Sequence, residues 1–349
     1  MIKVYIKLQE HAHLPILYPN LGFIEKKKSY FIDEAFRHYK EPVFDMVKNP
    51  EEADYFLIPH EFFLSENDAP YLREYVDLSK KYSKKILAFT HTDIEREVKL
   101  SNAIVFRISQ YGYQTKANEV MMPPYAEDLL HNREMVFRHK DHDKPVIGFC
   151  GWASLTKPRE LAAYYVKHTA LVAKNIITGN KRANVHKRGI WFRKKALNVL
   201  KKSNLVESNF LIRDSFSGHV STMKLDVDEA RKAYIENMVN SDFALAVKGG
   251  GNNSLRFYEA LSLGRIPLLV DTDCVLPLED KINYKEFVLF VDYRDMNKLD
   301  MAAADFYNKM SNENFVEKQK KAREVFAKYL CIDSFFKQIP GILEKMNKS

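Results

Sequence analysis

The sequence predicts an α/β protein with parallel β-sheets, and three observations lead to this prediction. Short apolar runs of strand length alternate with longer segments of helical character along the chain. The 349 residues exceed what one hydrophobic core needs and suffice for two domains. A polar stretch over residues 132–144 separates two series of strands and helices of similar size, as an interdomain linker does. We therefore expect an N-terminal domain over residues 1–140 and a C-terminal domain over residues 145–325.

Composition and charge exclude several classes of protein. The formal net charge of +8 fits an anionic partner, such as a nucleotide, an acidic glycan or an anionic membrane surface. Nucleic acid is not an expected partner, because the sequence lacks zinc-finger spacing, a helix-turn-helix signature and an aromatic–basic RNA motif. Cys150, Cys274 and Cys331 are too far apart in the sequence to indicate a disulfide framework or a metal cluster.

The N-terminus gives an expectation about location. The first eleven residues are typical of a strand rather than of a signal peptide, and no apolar run approaches the roughly 20 residues of a membrane span. We therefore expect a cytoplasmic protein, with peripheral contact to the inner face of an anionic membrane as an additional partner.

The N-terminal half is expected to form one sheet whose strands end in titratable side chains. Strands are predicted at residues 2–8, 55–58, 85–89, 103–106 and 120–122, and helices at residues 30–39 and 71–82. Ligands of such sheets bind at the carboxyl ends of the strands. The titratable residues at these ends are Glu10, His11, His60, Glu61, His91 and Asp93. His60–Glu61 and His91–Asp93 are preferred, because each pair puts two titratable groups on one loop, and the choice between the pairs stays open.

The C-terminal half repeats the alternation of strands and helices. Strands are predicted at residues 145–149, 209–213, 243–247 and 266–270, and helices at residues 158–172, 191–200, 228–239 and 255–263. Two or three further helices are expected after residue 291. A dense basic run precedes residues 191–200; it contains Lys181, Arg182, His186, Lys187 and Arg188, and Arg193 follows it. A solvated basic surface and an anion site are both open interpretations of this run.

The segment at residues 241–280 carries the clearest functional signal. An apolar strand runs into Lys248 and three glycines, and a helix then begins with Ser254 as a candidate N-cap. Glycines let a backbone approach an anion closely, and the free N–H groups and dipole of a helix N-terminus favour phosphate. Arg256 and Glu259 lie three residues apart on one helix face, which supplies a cation for phosphate and a carboxylate for ribose hydroxyls. The pattern therefore predicts a nucleoside-diphosphate site.

Two plainer interpretations of this segment stay open. The glycine run is neither a G-x-G-x-x-G fingerprint nor a Walker A loop, so it can be a simple turn with Arg256 and Glu259 as a surface ion pair. Asp271, Thr272 and Asp273 match the D-x-D pattern of metal-dependent transferases, but a loop or capping role is favoured directly after a strand. No metal site is therefore expected.

The same segment resembles the C-terminal half of the exostosin glycosyltransferase family. The matching residues are Lys248, Gly249, Ser254, Arg256, Glu259, Ala260, Leu261, Gly264, Ile266 and Pro267, and the run at residues 275–291 is also similar. Outside the segment, residues 55–59, residues 120–125 and Arg193 resemble further patterns of that family. Lys248 stands where the family has an arginine, Val247 stands where it has a proline, and two additional glycines enlarge the turn. The strand and its lysine also resemble bacterial fucosyltransferases that use GDP-fucose.

The resemblance implies a GT-B fold of two facing Rossmann-like domains, in which the last helix, at residues 326–349, crosses back to the N-terminal domain. It implies an inverting, metal-independent glycosyltransferase of polysaccharide biosynthesis. The donor would be a nucleoside-diphosphate sugar, with UDP favoured, and the acceptor a glycan or a lipid-linked oligosaccharide. The nucleotide is then a substrate, so no cofactor is expected.

The resemblance also implies roles for individual residues. The donor ligands would be Arg193, Lys248, Gly249, Gly250, Asn253, Ser254, Arg256 and Glu259. Inversion requires a general base for the acceptor hydroxyl, and the candidates are His60, Glu61, His91 and Asp93. A transferase that uses a GDP-sugar and a non-catalytic binding protein of the same fold are the alternatives.

Overall fold

The computed structural model describes residues 1–7, 35, 42–66, 68–130, 134–153, 185–213 and 226–348, together with residues 162, 165, 166, 169, 170, 173 and 177. Several expectations lie outside the described residues, wholly or in large part. They are the helices at 30–39 and 158–172, and the side chains of Glu10, His11, Lys181 and Arg182.

The chain divides into two compact units. The first unit comprises Met1–Glu127, Cys274–Lys281 and Ala327–Ser349, and the second comprises Asp128–Asp273 and Ile282–Phe326. Two boundaries differ from the expected ones. The first unit ends at Glu127, and Cys274–Lys281, which was expected in the C-terminal domain, belongs to the first unit.

The polar stretch at residues 132–144, expected as a linker, belongs to the second unit for a physical reason. The Nε of Arg138 donates to Oδ1 of Asp242 over 3.1 Å, and the backbone N–H of Arg138 donates to Oε1 of Gln319 over 2.9 Å. Asp242 and Gln319 are both buried, so these bonds tie the polar stretch to the interior of the unit. Polarity alone does not distinguish such an anchored segment from a free linker.

The first unit is built on a six-stranded sheet. Its strands are β1 Ile2–Tyr5, β2 Phe44–Met46, β3 Tyr55–Leu57, β4 Ile86–Thr90, β5 Ala103–Arg107 and β6 Glu119–Met121, in the spatial order β2-β1-β3-β4-β5-β6, and all pair in parallel. Every residue of β4 and β5 is buried, which explains why both strands are nearly continuous apolar runs.

Helices cover this sheet. Those before the second unit are α1 Phe62–Ser65 and α2 Ala69–Tyr82. The side chain of Asp68 caps α2 by accepting a hydrogen bond from the N–H of Tyr71 over 3.0 Å, and Ser83 ends the helix with a left-handed backbone at φ 55°. Tyr71 and Tyr75 face the sheet from this helix, which begins two residues before the predicted helix at 71–82 and ends where predicted.

The second unit contains a five-stranded parallel sheet. Its strands are β7 Val146–Trp152, β8 Glu207–Arg213, β9 Phe243–Ala246, β10 Ile266–Asp271 and β11 Leu289–Asp292, in the order β11-β10-β9-β7-β8. The helices that follow are α3 Gly189–Lys202, α4 Val227–Val239, α5 Leu255–Ser262, α6 Leu299–Asn308, α7 Asn312–Val325, α8 Ile332–Phe336 and α9 Ile339–Lys348; the last two belong to the first unit. Four described helices thus follow β11, where two or three were expected.

The strand orders locate one switch point in each sheet. In the first unit, the chain leaves β1 toward β2 on one side and toward β3 on the other; in the second unit, it leaves β7 toward β8 and later pairs β9 with the opposite edge of β7. Ligands of open parallel sheets bind outside the carboxyl ends of the strands at such points. The predicted α/β class with two parallel sheets is confirmed. Within the described residues, no helix has both the length and the apolar character that a bilayer crossing requires.

Candidate functional site

Two loops of the second unit meet at the switch point between β7 and β9. The first ends β7 at Gly151 and Trp152, and the second runs from Val247 to Ser254 after β9. Gly151 has a φ of +151°, and a Cβ at this position would lie 2.7 Å from Nη2 of Arg256. Only glycine therefore lets the end of β7 approach this arginine so closely.

The glycine loop is held by its own backbone and by a neighbouring strand. The N–H of Gly249 donates to the carbonyl of Asn253 over 2.8 Å. The side chain of Asn252 donates to the carbonyl of Asp273 over 3.1 Å and accepts from the hydroxyl of Thr272 over 2.6 Å. These bonds shape the turn while its three glycines keep negative φ angles, so they serve close approach rather than a left-handed turn.

A glycine outside this loop, Gly189, is sterically required for the packing of the loop. Gly189, the first residue of α3, packs against the backbone of Lys248 and Gly249. A Cβ at position 189 would lie 2.2 Å from the carbonyl oxygens of both residues. The first turn of α3 therefore supports the glycine loop directly.

Two arginines of the predicted donor set face this switch point. Arg193 of α3 donates from Nη1 to the carbonyl of Trp152 and from Nη2 to the carbonyl of Lys248, both over 3.2 Å. Arg256 of α5 donates from Nη2 to the carbonyl of Cys150 over 2.5 Å, and its guanidinium carbon lies 4.4 Å from the centroid of the Phe149 ring. The Nε of Arg256 is buried and has no hydrogen-bond partner among the described residues.

Lys248 takes a different position from the one expected of a phosphate ligand. Its side chain is 4% exposed, and its ammonium donates to the carbonyl of Val185 over 2.6 Å and lies 5.3 Å from the centroid of the Phe192 ring. The lysine thus fastens the chain before α3 to the glycine loop. Its charge adds to the local field, but its ammonium contacts the protein interior.

Glu259 is also turned inward. Its Oε1 accepts from Nη1 of Arg231 over 2.9 Å, and its Oε2 accepts from the hydroxyl of Tyr234 over 2.5 Å. Burial and the neighbouring Glu259 carboxylate raise the pKa of Tyr234, which stays a neutral donor. The expected contact of Glu259 with ribose hydroxyls therefore does not match this arrangement, and neither does the alternative of a surface pair with Arg256.

The helix N-terminus beside the loop has no side-chain cap among the described residues. Ser254 occupies the N-cap position of α5 with an extended backbone, as predicted, but its side chain makes no capping hydrogen bond to the described residues. Gly250 and Asn253 complete the turn in front of α5, and Asn253 is half-buried. The two arginines and this helix terminus together form a positive site at the end of β7.

The D-x-D segment belongs to the support of the loop. The hydroxyl of Thr272 and the carbonyl of Asp273 both bond Asn252, and Asp273 has a φ of 60°. Among the described residues, no group of three or more histidine, cysteine, aspartate and glutamate side chains is placed to hold a metal ion.

In the first unit, the structure brings three of the four base candidates together at the ends of β3 and β4. His60 and Glu61 are 0% and 1% exposed. The hydroxyl of Thr92 donates to Oε1 of Glu61 over 3.3 Å. Burial, and then the negative charge of Glu61, raise the pKa of Tyr125.

His91 lies in the same group, and Asp93 lies outside it. The imidazole of His91 is half-buried, its centroid is 5.8 Å from that of the Tyr125 ring, and its Nδ1 has no hydrogen-bond partner among the described residues. Burial lowers the pKa of His91 to about 4, so the ring is neutral at physiological pH. Asp93 is exposed on the same loop.

Sequence analysis missed the residues that hold these candidates in place. Arg231 and Tyr234 lie on α4, far from Glu259 in the sequence, and only the packing of α4 against the sheet brings them together. Tyr125 was noted only as the last residue of the family-like pattern at residues 120–125. A glycine at the start of an amphipathic helix can indicate a close approach of another backbone, and this signal could have identified Gly189.

Comparison with known proteins finds a family model that is similar to part of the second unit. The model of the exostosin GT47 domain matches residues 190–305, about a third of the chain. A probable glucuronosyltransferase of Oryza sativa subsp. japonica is 39% identical over 67 residues, which are 19% of this chain and 16% of that protein. Exostosin-1 of Drosophila melanogaster is 41% identical over 64 residues, which are 18% of this chain and 8% of that protein. The chain thus spans a small fraction of the length of these relatives.

Solved structures with similar chain traces are more distant. A glycosyltransferase from Rickettsia africae ESF-5 is 11% identical, with 85% of this chain and 78% of that chain covered and a TM-score of 0.39. The catalytic domain of starch synthase IV from Arabidopsis thaliana, bound to ADP and acarbose, is 12% identical, with 85% and 73% covered and a TM-score of 0.38.

The family match contains α3, the glycine loop and α5, which are the elements that form the positive site. Residues 190–305 are therefore the part of the chain that is similar to the exostosin GT47 domain.

Proposed function

We propose that the chain is a glycosyltransferase that moves a sugar from a nucleoside-diphosphate donor, with UDP favoured, to a glycan or lipid-linked oligosaccharide in polysaccharide synthesis. The observation that carries the proposal is the pair Arg193 and Arg256 at the β7–β9 switch point, beside the N-terminus of α5 and within the exostosin GT47 domain. The names of the relatives, glucuronosyltransferases and a xylosyltransferase among them, support sugar transfer as the type of reaction.

The pyrophosphate of the donor binds at the positive site. A guanidinium has five N–H donors, and the described bonds of Arg256 engage only its Nη2 group, which leaves donors for phosphate oxygens. The N–H groups at the start of α5 add further donors. These fixed charges stabilise the departing nucleoside diphosphate electrostatically. Lys248 and Glu259 act indirectly in this proposal, because their charged groups are bonded within the protein.

The transfer proceeds with inversion. The acceptor oxygen forms a bond to the anomeric carbon, and the bond between that carbon and the phosphate oxygen breaks. The electron pair of the broken bond leaves with the nucleoside diphosphate. The hydroxyl proton of the acceptor goes to a general base of the protein.

His91 is the preferred base among the four candidates. Its neutral imidazole is half-buried, and its Nδ1 is without a hydrogen-bond partner among the described residues, whereas His60 and Glu61 are too buried to meet a substrate hydroxyl without rearrangement. Glu61 instead orients Thr92, the residue after His91. Asp93 is exposed on the same loop and is the second candidate.

A thermal-shift panel of UDP, GDP, dTDP and CMP with the full chain tests the proposal. A nucleotide at 100 times its dissociation constant stabilises the folded state by about 2.7 kcal/mol, which is easily measured. Stabilisation by UDP supports the favoured donor, and stabilisation by GDP alone supports a GDP-sugar. If no nucleotide changes the melting temperature, the positive site does not bind a donor and the proposal fails.

A second measurement separates an enzyme from a non-catalytic binding protein. The purified chain is incubated with the sugar conjugate of the nucleotide that stabilises it, and release of the free nucleoside diphosphate is followed with water or an added glycan as acceptor. Release above the rate of an Arg256→Ala variant supports catalysis. Binding without release supports the non-catalytic alternative.

A further inference from the structure

One long segment of the second unit has a one-sided charge. Between residues 161 and 206 the sequence contains eleven lysines and arginines and neither aspartate nor glutamate. The rest of the chain is slightly acidic overall, so this segment alone accounts for the positive net charge. A run of this kind repels itself and indicates an anionic partner rather than a generally solvated surface.

The described part of this segment gathers two of the cations around one aromatic ring. The ammonium of Lys187 lies 4.0 Å from the ring centroid of Trp191, and that of Lys195 lies 5.4 Å from it. Trp191 is held in turn by an edge contact with Phe192, which is fully buried, at 5.0 Å between ring centroids. Trp191 and Lys195 lie four residues apart on one side of α3. Lys187 lies two residues before the helix, and its ammonium reaches the same ring from there.

Charge compensation for this pair is missing from the described part of the protein. No described carboxylate forms an ion pair with Lys187 or Lys195. Burial, and then repulsion by Lys195, lower the pKa of Lys187. The cation–π contacts offset part of this repulsion, at about 0.5–1 kcal/mol each for exposed pairs. An anionic group between the two ammoniums would remove the repulsion.

The pair is connected to the positive site through α3. Gly189 of this helix packs on the glycine loop, and Arg193 of the same helix donates to the carbonyl of Lys248. A ligand at Lys187 and Lys195 therefore touches the helix that supports the expected donor site. A ligand in this position is therefore more consistent with part of the acceptor than with a partner unrelated to the transfer.

We propose that Lys187, Trp191 and Lys195 form a clamp for the carboxylate or other anionic group of an acidic glycan. If the proposed glycosyl transfer holds, this glycan is the acceptor. The clamp then binds a sugar unit of the acceptor that does not carry the reacting hydroxyl. A membrane surface fits less well, because Trp191 is half-buried under ammonium groups. The exposed residues of α3, which are Lys194, Asn198, Lys201 and Lys202, also offer no apolar side chain for insertion.

Tryptophan fluorescence of the full chain tests the clamp without any need for catalysis. The chain has two tryptophans, Trp152 and Trp191, so a Trp152→Phe background leaves Trp191 as the only reporter. Oligogalacturonates are titrated as the acidic probe and malto-oligosaccharides of the same length as the neutral control. We expect saturable binding of the acidic probe only, with the Trp191 signal changing on binding.

Two double variants on the same helix make the test specific. Lys187→Gln with Lys195→Gln should weaken binding of oligogalacturonate about tenfold, since each exposed charge contact contributes up to about 1 kcal/mol. Lys201→Gln with Lys202→Gln removes the same charge at the other end of α3 and should change the affinity less than about twofold. Equal losses in both variants would show nonspecific attraction and overturn the clamp, as would equal binding of the neutral probe.

The remaining outcomes separate the clamp from the donor site. UDP affinity should stay within about twofold of the wild type in the Lys187→Gln and Lys195→Gln variant. If UDP binding falls with oligogalacturonate binding, the two lysines belong to the donor site and the clamp assignment is wrong. Tighter binding to vesicles of phosphatidylglycerol than to oligogalacturonate would identify a membrane contact instead and also overturn it. Failure of the chain to bind any nucleotide would refute the proposed transfer but leave the clamp measurement valid.

Discussion

The two parallel sheets of this protein present opposite chemistry at their strand ends. In the second unit, Arg193 and Arg256 surround the end of β7, and the carboxylate of Glu259 is turned away to Arg231 and Tyr234. In the first unit, the ends of β3 and β4 carry the neutral imidazole of His91 together with Glu61 and Tyr125.

In the proposed glycosyl transfer, this difference assigns donor binding to the second unit and proton abstraction to the first. A collection of fixed cations binds and stabilises a leaving diphosphate, whereas a desolvated neutral base accepts a proton. In the second unit, the carboxylate of Glu259 is paired with Arg231 and so does not oppose the positive site. In the first unit, no arginine or lysine is bonded to His91 among the described residues. Substitutions should therefore separate binding from turnover according to the unit in which they lie.

The largest effect is expected in the first unit. His91→Asn removes the proposed base while keeping a polar side chain of similar size, and it should lower kcat by about 100-fold or more. The affinity for UDP should remain unchanged, because the proposed nucleotide site lies in the second unit. Steady-state kinetics and a UDP titration measure the two quantities.

Asp93→Asn on the same loop is the matched control for this variant. A large fall in kcat in Asp93→Asn with normal turnover in His91→Asn would transfer the role of base to Asp93. Loss of UDP affinity in His91→Asn would contradict the separation of tasks between the units.

The opposite result is expected in the second unit. Arg256→Ala removes a guanidinium whose charge-assisted bonds to phosphate contribute about 1.5–3 kcal/mol, so the affinity for UDP should fall up to about 100-fold. Arg256→Lys keeps the charge but loses the planar fork and should recover only part of the affinity. Calorimetric titration measures both variants.

Arg294→Ala is the control, because Arg294 lies in the same unit but is exposed and paired with Asp292. It should bind UDP as the wild type does. Equal weakening by Arg294→Ala and Arg256→Ala would mean that only the overall charge of the unit matters, and the assignment of the donor site would be abandoned.

A smaller effect tests the support of the glycine loop. Gly189→Ala places a methyl group 2.2 Å from the carbonyl oxygens of Lys248 and Gly249, so α3 or the loop must shift. We expect a loss of about 2 kcal/mol in the free energy of unfolding, as for other overpacked sites, and weaker UDP binding. Urea unfolding and the same titration provide the measurements.

Gly341→Ala is its counterpart on α9 in the first unit. A Cβ there meets no atom within 4 Å, so alanine should stabilise the helix by about 0.5–1 kcal/mol. If Gly189→Ala were also neutral or stabilising, the close contact between α3 and the glycine loop would not be a constraint.

The smallest effect concerns the pH dependence of stability in the first unit. Burial lowers the pKa of His91 from 6.5 to about 4 in the folded state, so between these pH values the unfolded chain binds more protons than the folded chain. Stability is therefore fully present above about pH 6.5 and is lost as the pH falls toward 4. With the partial exposure of the ring taken into account, the loss is on the order of 1–2 kcal/mol.

His91→Gln cannot titrate and should reduce the slope of unfolding free energy against pH in this window. Urea unfolding at several pH values compares the variant with the wild type. An unchanged slope would show that the imidazole is hydrated in the folded state, and its selection as the preferred base would lose its physical reason.

Local patterns were sufficient to predict much of the second unit. The strand at 243–247, the glycine turn and the helix from 255 follow from an apolar run, a set of glycines and an N-cap position, and the structure has β9 and α5 at these places. Arg256 was predicted from the residue pattern of the helix and Arg193 from the family resemblance, and the structure brings both to the same strand end. The side-chain directions of Lys248 and Glu259 were not predictable, because their partners come from segments distant in sequence.

The sequence by itself determined the alternation of strands and helices, the parallel class of both sheets and the strand ends at which polar residues collect, because these depend on local periodicity and on the geometry of parallel strands. Only the tertiary structure decided which polar groups face a ligand and which are bonded inside. The packing of α4 brings Arg231 and Tyr234 into hydrogen-bond contact with Glu259. The contact of α3 with the glycine loop requires glycine at 189. Burial at the end of β4 lowers the pKa of His91 and so keeps its imidazole neutral. Such pairings depend on contacts between residues far apart in the chain, which no local pattern encodes.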